Sequence, residues 1–461
     1  MSLSDFCCGD TFFLYICPRK FANFNYKELY MKKVSILLLT ICISVLYTSC
    51  RVLNQKEKEP ERRISTIASG TTQLAQVYNP TSTTIHPKVF IRKNDTTNID
   101  LFVIINDSEL YFSKANSQNQ QIAKVKVFYK IMESFENSTL VDTSMKIITI
   151  NKTPSPKTFA IKLRLKHVDL TKFVVQTTVT DMFRSKMNIC FTEVNKLDSI
   201  GKDNFAINYT ASGQPFQQNY ADLGTQLSIS YNMPGQHLYN IVLPIDNTIP
   251  QSPYATLAYY NDSVLTFKPE EKPSSFFINF DKPGIYYTTA DSSLSQGISI
   301  PCFGNDHPSI TTPDDMIKTI KYLCTDEEYA TIIAKPEKKL AIDDFWYSCT
   351  KDLKKAKELI RVFYTRAVFA NIFFTDHRQG MLTDRGMVYI VMGPPHSLAI
   401  TTRAEIWTYH DRKENRKVKF VFRKRQTTLS TPDYRLFRST EFKPYWDNAV
   451  DCWRKGNIYT F

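Results

Sequence analysis

The chain of 461 residues carries 58 lysines and arginines against 45 aspartates and glutamates, a formal net charge of +13. This length exceeds what one hydrophobic core organises and predicts about two to four domains. With 43% hydrophobic and 22% charged residues, the composition excludes wholesale disorder and a polytopic membrane protein. Only 13 glycines stand against 31 phenylalanines and 25 tyrosines, which disfavours enzymes built on glycine-rich nucleotide loops and favours β-sheet.

The first fifty residues contain a candidate export signal. Lys32 and Lys33 precede an apolar stretch over 34–47, and small residues then lead to Cys50. The stretch is too short to span a bilayer comfortably. This order of features resembles a bacterial lipoprotein signal, in which cleavage before the cysteine leaves its thiol to be acylated with a fatty acid such as palmitate. The competing interpretation is a buried apolar helix with a chance cysteine. We interpret 31–49 as the signal peptide and 1–30 as an extension from an upstream start codon.

Residues 50–85 then comprise the lipidated cysteine and a polar tether. Five cysteines remain in the mature chain, and no CxxC pattern suggests a metal site. We expect most of them to be buried as small hydrophobic residues, while one or two long-range disulfides remain an open alternative in an oxidising envelope. These cysteines are Cys190, Cys302, Cys324, Cys349 and Cys452.

The central part of the chain reads as β-structure. Short runs rich in Val, Ile, Phe and Tyr fill 86–200, and in Lys124–Lys130 apolar and polar residues alternate with the period of a half-buried strand. Residues 203–305 repeat this style between proline-marked turns. The two segments predict two tandem immunoglobulin-like β-sandwiches.

The C-terminal part reads as α+β. We predict a helical segment over 312–375, with Thr312 capping a first helix, a capping box at Thr325 and a long amphipathic helix at about 350–374. Over 376–461 we predict a small antiparallel sheet, whose first strand is Gly386–Met392, followed by a C-terminal helix. The fold class is therefore mostly β with an α+β C-terminal domain.

Residues 340–461 carry a recognisable motif. Its blocks, in chain order, are Arg366, Ala370-Asn371, Phe374, Gly380 to Gly386, Tyr389-Ile390, Gly393-Pro394-Pro395, Glu405-Ile406-Trp407 and Trp446 to Trp453-Arg454-Lys455-Gly456. This region resembles the GWxTD domain, a family of envelope proteins common in the Bacteroidota. The chain departs from the family at the motif's tryptophan, where Met381 stands. The resemblance implies a lipoprotein with β-sandwiches ahead of the domain and no established catalytic residue or cofactor.

Most motif residues suggest a structural role rather than a binding surface. We expect a positive φ at Gly380, hydrogen bonds from nearby backbone N–H groups to the Thr383 and Asp384 side chains, and an ion pair of Arg385 with Asp384 or another carboxylate. Strand termination is expected at Gly393, Pro394 and Pro395, and a core anchor at Trp407. Gly386 and Trp453 also belong to the motif residues for which we expect a structural role.

A catalytic reading is the alternative. The sequence contains no HExxH or GxSxG pattern, and we predict no metal and no cofactor. Asp376, His377, Arg378 and Asp384 lie around one loop, with Glu405 nearby, and a histidine between carboxylates can act as a general base. The competing interpretation is a solvated loop.

The positive charge is concentrated in the C-terminal domain. Residues 340–461 hold 22 Lys and Arg against 13 Asp and Glu, a net charge of +9. Within them a basic cluster, the candidate anion or partner surface, consists of Arg412, Lys413, Lys417, Lys419, Arg423, Lys424 and Arg425. One interpretation is an edge strand whose lysines prevent aggregation with other chains. The other is a docking surface for anionic lipid, glycolipid or an acidic protein.

These features predict a non-enzymatic lipoprotein of the outer membrane that acts as an interaction or scaffold module, with a basic C-terminal domain held out by two near-neutral sandwiches. The alternative is a surface carbohydrate-binding protein or hydrolase with a site near the Asp376–Asp384 loop. Nucleic acid is not expected as a partner. No acidic residue follows Cys50 until Glu57, which favours the periplasmic face over the cell surface.

Overall fold

A computed structural model describes residues 75–79, 85–95, 97–114, 120–153, 157–165, 169–233, 235–256, 268–411, 416–425, 427–429 and 433–461. The predicted signal peptide, Cys50 and two members of the basic cluster, Arg412 and Lys413, lie outside the described residues. Among the helices in these ranges, none combines the length and the apolar character needed to cross a bilayer.

The first seven strands form two facing sheets. The strands are β1 (Lys88–Lys93), β2 (Ile99–Asn106), β3 (Ile122–Met132), β4 (Leu140–Asn151), β5 (Thr158–Arg164), β6 (Lys172–Asp181) and β7 (Lys186–Asn195). One sheet has the order β1-β2-β5 and the other β4-β3-β6-β7, with all neighbours antiparallel. In β3, Val125 and Val127 are buried and pack with Val103 of the opposite sheet, while Lys124 is exposed. The alternation of apolar and polar residues therefore defines which face of β3 forms the core.

A second pair of sheets repeats this arrangement. The strands are β8 (Phe205–Tyr209), β9 (Gln226–Tyr231), β10 (Leu238–Leu243), β11 (Glu270–Lys272), β12 (Ser275–Asn279), β13 (Gly284–Thr289) and β14 (Ile298–Cys302). Their orders are β12-β9-β8 and β11-β10-β13-β14. In both pairs the first, second and fifth strands form one sheet, so the two share one topology although no sequence repeat reveals it.

The prediction of a mostly-β chain is confirmed, while the immunoglobulin-like class stays a prediction. One detail favours that class: the Tyr286 hydroxyl donates to the Lys282 carbonyl oxygen at 3.0 Å. A tyrosine at the start of the sixth strand that bonds back to the chain upstream is typical of immunoglobulin-like sandwiches.

The predicted helical segment contains four helices: α1 (Pro313–Ile320), α2 (Asp326–Ala334), α3 (Lys338–Thr350) and α4 (Leu353–Phe374). The Thr312 side chain caps α1, and Thr325 with Glu328 forms the expected capping box of α2. Helix α3 had no clear signal in the sequence. It ends at Lys351, whose φ of 53° is left-handed, and Asp352 then caps α4.

The strand predicted at Gly386–Met392 is wrong, because these residues belong to a helix, α5 (Asp384–Met392). Every residue from Gly386 to Met392 is buried, so no polar face is left to produce a period of 3.6. Capping residues stand at both ends of this helix. Thr383 accepts a hydrogen bond from the Gly386 N–H at 3.0 Å at the start, and Gly393, with a φ of 84°, follows the last turn.

A four-stranded antiparallel sheet completes the chain. Its strands are β15 (Ser397–Ile400), β16 (Ala404–Asp411), β17 (Arg416–Arg425) and β18 (Asp433–Leu436), in that order. The predicted C-terminal helix is α6 (Lys443–Arg454). Trp407, Phe420 and Phe422 of this sheet share one buried core with Phe374 of α4 and Met387 of α5. The helices therefore cover one face of the sheet.

The five cysteines from Cys190 to Cys452 are thiols that form no disulfide. Cys302 and Cys349 are buried, and the others are half-buried. Burial raises the pKa of the Cys190 and Cys324 thiols to about 12. The expectation of small hydrophobic residues is met at the two buried positions, and the alternative of a disulfide among these five is not realised.

Candidate functional site at the buried motif

Two glycines let the motif segment pack directly on α4. A Cβ at Gly380 would lie 2.0 Å from the Ala370 carbonyl oxygen, and one at Gly386 would lie 1.9 Å from the Gly380 carbonyl oxygen. The expectation of a positive φ at Gly380 is wrong, since this residue is not among those with positive φ. Close backbone approach, rather than turn geometry, is what requires glycine at both positions.

The residues around Met381 anchor this segment. The Met381 N–H donates to Asn371 Oδ1 at 2.8 Å, and its carbonyl oxygen accepts from the Tyr322 hydroxyl at 2.7 Å. The Met381 side chain is buried, with 1% of its surface exposed. The position of the missing tryptophan is therefore part of the core.

Asp384 pairs with an arginine far along the chain. Its Oδ1 lies 2.6 Å from an Nη of Arg438, and its Oδ2 accepts the Leu436 N–H at 2.8 Å. Arg438 also donates to the backbone carbonyl oxygens of Gln251 and Ser252 in the loop after β10. Asp384 thus connects α5 to β18 and, through Arg438, to the second sandwich, rather than bonding only nearby backbone as expected.

Arg385 pairs with Glu405, at 3.2 Å between Nη1 and Oε1. Its guanidinium lies 3.9 Å from the centre of the Tyr434 ring and 5.1 Å from that of Phe374. Burial opposes the charged form of Arg385, but the adjacent Glu405 carboxylate outweighs this effect and the pKa of Arg385 is raised. The expected carboxylate partner of Arg385 is therefore Glu405 on β16.

Glu405 accepts two further hydrogen bonds. They come from Trp407 Nε1 at 3.2 Å and from the Tyr78 hydroxyl at 2.9 Å. Trp407 is fully buried, as the motif predicted. Tyr78, in contrast, lies in the segment that the sequence assigned to the tether, where no local pattern distinguishes it.

The loop before the motif is also buried. Arg378 bridges Asp376 at 3.2 Å and Asp433 at 3.0 Å, and Asp433 also pairs with Arg435. The pKa of Asp376 is about 2, because the Arg378 and His377 charges outweigh the effect of burial. Burial lowers the pKa of His377. The interpretation as a solvated loop is therefore wrong for these side chains.

The end of the domain closes over the motif helix. The Trp453 indole N–H donates to the Val391 carbonyl oxygen at 3.0 Å, and the Arg366 guanidinium lies 5.2 Å from the Trp453 ring centre. Arg366 also donates to the Tyr459 carbonyl oxygen. Beyond α5, Pro395 is buried and Pro394 exposed, so the Gly-Pro-Pro block ends a helix rather than the predicted strand.

This arrangement favours structural rather than catalytic roles. Asp376, Asp384, Glu405 and Asp433 each contact at least one arginine inside the domain. A general base needs contact with a substrate proton, and at most 10% of each of these carboxylate side chains is exposed. No group of three or more His, Cys, Asp and Glu side chains within the described ranges is placed to hold a metal ion.

The basic cluster has an exposed face. Lys417, Lys419 and Arg423 are exposed along β17, while Val418 and Phe420 between them are buried. Strand β17 lies between β16 and β18, so the interpretation as an edge strand is wrong for its second half. Strand β18 pairs with Phe422 to Arg425 only, and Lys417 and Lys419 lie in the half that extends past it.

The other end of the cluster borders a groove of about 650 Å³ beside the loop after β10. Its charged lining residues are Arg423, Lys424, Arg425, Arg435 and Arg438. Lys424 also contacts Glu193 and lies 5.1 Å from the centre of the Phe135 ring, so it joins the first sandwich to the C-terminal sheet. Both sandwiches therefore contact the C-terminal domain directly.

Residues 284–455 match the family model of the GWxTD domain. The predicted resemblance is thereby confirmed, and the chain carries a GWxTD domain. The match begins earlier than the predicted residue 340 and takes in β13, β14 and α1 to α3. It identifies no enzyme family. Among curated proteins, none matches the chain.

Solved structures to which the chain is similar include two of Bacteroides uniformis β-glucuronidase, one of them β-glucuronidase 2 covalently bound to cyclophellitol-6-carboxylate aziridine. Each is 12% identical to this chain, with a TM-score of 0.16. The likeness covers 30% of this chain and 16% of each glucuronidase chain. This chain thus spans less than a fifth of those proteins.

Proposed function

We propose that this protein is a non-enzymatic lipoprotein of the outer membrane, anchored through Cys50 on the periplasmic face, whose basic C-terminal domain docks onto anionic envelope components. The observation that carries the proposal is that the GWxTD domain buries its motif carboxylates and exposes basic side chains. The motif carboxylates are used in buried ion pairs, while Lys417, Lys419 and Arg423 face solvent on one side of β17.

Such a surface attracts anionic headgroups by long-range electrostatics, and each lysine or arginine near an anionic membrane contributes about 1 kcal/mol. The adjoining groove adds Arg425, whose planar guanidinium group suits phosphate and carboxylate. Its Arg435 and Arg438 are already paired with Asp433 and Asp384. An acidic envelope protein remains a second class of partner for the same surface.

Vesicle sedimentation tests the docking surface. The mature chain with Cys50→Ala is expected to bind vesicles containing phosphatidylglycerol and not vesicles of phosphatidylcholine alone. The double variant Lys417→Glu/Lys419→Glu should lose at least ~10-fold in binding, because four units of charge change at one face. Lys354→Glu/Lys355→Glu, the same change at two exposed lysines of α4, is the matched control. Equal binding by the two double variants would contradict the assignment of this face.

The anchor and its side need separate experiments. Metabolic labelling with a fatty-acid analogue should mark the wild-type protein and not Cys50→Ala. Protease treatment of intact cells should leave the protein uncut if it faces the periplasm, and degradation would place it on the cell surface instead.

A further inference from the structure

The segment Ala75–Tyr78 is packed into the C-terminal domain. It forms one turn of 3-10 helix, in which Ala75 and Tyr78 are buried with 6% and 8% of their surface exposed. Both belong to the core cluster that contains Phe374, Trp407 and Tyr389. The predicted tether is therefore held by the domain more than 300 residues further along the chain.

The Tyr78 ring contacts three aromatic rings of the domain. Its centre lies 4.9 Å from that of Phe374 in an edge-to-face arrangement, 5.4 Å from that of Trp407 and 5.7 Å from that of Phe373. Edge-to-face pairs at these separations contribute about 0.5–1.5 kcal/mol beyond the burial of surface. The contacts come from α4 and from β16, so the pocket exists only once these two elements have come together.

Two hydrogen bonds hold Tyr78, and the one from its hydroxyl makes the pocket selective for tyrosine. The Tyr78 hydroxyl donates to Glu405 Oε1 at 2.9 Å, and the Tyr389 hydroxyl donates to the Tyr78 carbonyl oxygen at 2.9 Å. Glu405 is held in place by Arg385 and by Trp407 Nε1. A phenylalanine would fill the same space but would not donate to the buried carboxylate.

We propose that the GWxTD motif region is a binding socket for a tyrosine-bearing turn, formed by Phe374, Arg385, Tyr389, Glu405 and Trp407, and that the chain's own Ala75–Tyr78 segment is its occupant. Arg385 positions the Glu405 acceptor, Phe374 and Trp407 together with Phe373 enclose the phenol ring, and Tyr389 holds the backbone. The motif then acts in peptide recognition within the molecule.

The socket also joins the C-terminal domain to the segment that follows the proposed anchor in the chain. This consequence, unlike the socket itself, depends on the proposed lipid at Cys50. Twenty-four residues lie between Cys50 and Ala75, and this stretch spans at most about 90 Å when fully extended. The basic face of β17 thus belongs to a domain that binds the segment immediately before the first sandwich.

Binding of a peptide in trans tests the socket. The probe is a labelled synthetic peptide with the sequence of residues 70–83, and the receptor is the mature chain with Cys50→Ala, so no lipid enters the experiment. The Tyr78→Ala variant should bind the peptide at least ~10-fold more tightly than the chain with its own Tyr78, which competes intramolecularly. The same peptide with phenylalanine at position 78 should bind about 10-fold more weakly, because the bond to a charged acceptor is missing.

Equal binding by the two chains, or equal binding of the tyrosine and phenylalanine peptides, would overturn the proposal. Tyr111→Ala, a change at a tyrosine with 50% of its surface exposed, is the matched control and should bind no better than the chain with native tyrosines. Because vesicles and fatty acids play no part, these outcomes are independent of those for the proposed lipoprotein function.

Hydrogen exchange gives a second measurement in case Tyr78→Ala does not fold. In Tyr78→Phe the ring contacts remain, so exchange at residues 75–79 should become about 10-fold faster while α4 stays protected. Unchanged exchange of this segment in Tyr78→Phe, or exchange at the rate of an unstructured peptide already in the native chain, would contradict the socket.

Discussion

Asp384 and Arg438 form an ion pair at 2.6 Å inside the C-terminal domain, with 2% and 6% of their side-chain surfaces exposed. Asp384 begins the motif helix α5, and Arg438 follows the last strand β18, so this pair connects the motif helix to the segment after the sheet. The pair also reaches the second sandwich, because Arg438 donates to the backbone after β10.

Removing one partner of this pair is expected to be costly. Asp384→Ala should lower the free energy of unfolding by about 3–5 kcal/mol, because it leaves a buried arginine without its carboxylate. Urea unfolding followed by circular dichroism measures the change. The control is Asp447→Ala, which removes the exposed partner of Lys443 on α6 and should cost less than ~1 kcal/mol. Similar losses in the two variants would show that the buried pair is not a special element of stability.

The two motif glycines should tolerate no side chain. We expect Gly386→Ala to destabilise the domain by at least ~3 kcal/mol, since its Cβ would lie 1.9 Å from a backbone oxygen that cannot move aside. Gly213→Ala provides the comparison: Gly213 has a φ of +67° and open space around it, so only about 1 kcal/mol is expected from the backbone conformation. Thermal unfolding of both variants distinguishes a steric from a conformational penalty.

Restoring the family's tryptophan should not improve this chain. Met381 is 1% exposed, and Met381→Trp adds volume at this buried position, which is expected to cost about 1–3 kcal/mol. Met381→Leu conserves volume and should cost less than ~1.5 kcal/mol. A gain in stability for Met381→Trp would mean that the core retains space for the indole.

Because of His307, we expect the free energy of unfolding to decrease in mild acid. Burial lowers its pKa to about 4 from an ordinary 6.5, although Asp315 acts in the opposite direction. Between pH 6.5 and 4 the unfolded chain binds the extra proton, so the free energy of unfolding decreases as the pH falls, by up to about 3 kcal/mol. His307→Gln should flatten this part of the pH profile, measured by urea unfolding at each pH.

His86 provides a control of opposite sign for that profile. Its hydrogen bond with Glu109 raises its pKa, so its contribution to stability is present at low pH and lost as the pH rises. His86→Gln should therefore make the fall in acid steeper. If the free energy of unfolding depended less on pH in both variants, these opposite contributions could not be assigned to His307 and His86.

Elements of the fold could be predicted from the sequence where their residue pattern depends only on neighbouring residues and on solvent exposure. Alternating side chains marked strands such as β3 because one face is buried and the other is solvated. Thr312 and Thr325 marked helix starts because their hydroxyls accept nearby backbone N–H groups. The motif blocks identified the family because they occur in a set order along the chain.

Tertiary structure alone decided the rest. Helix α5 carries no amphipathic period because it is buried on all sides, so its residues resemble a strand. The partners of Asp384 and Arg385 are 54 and 20 residues away, and the contact between Tyr78 and Glu405 spans 327 residues. Such contacts depend on how the elements pack, and no local pattern in the sequence records them.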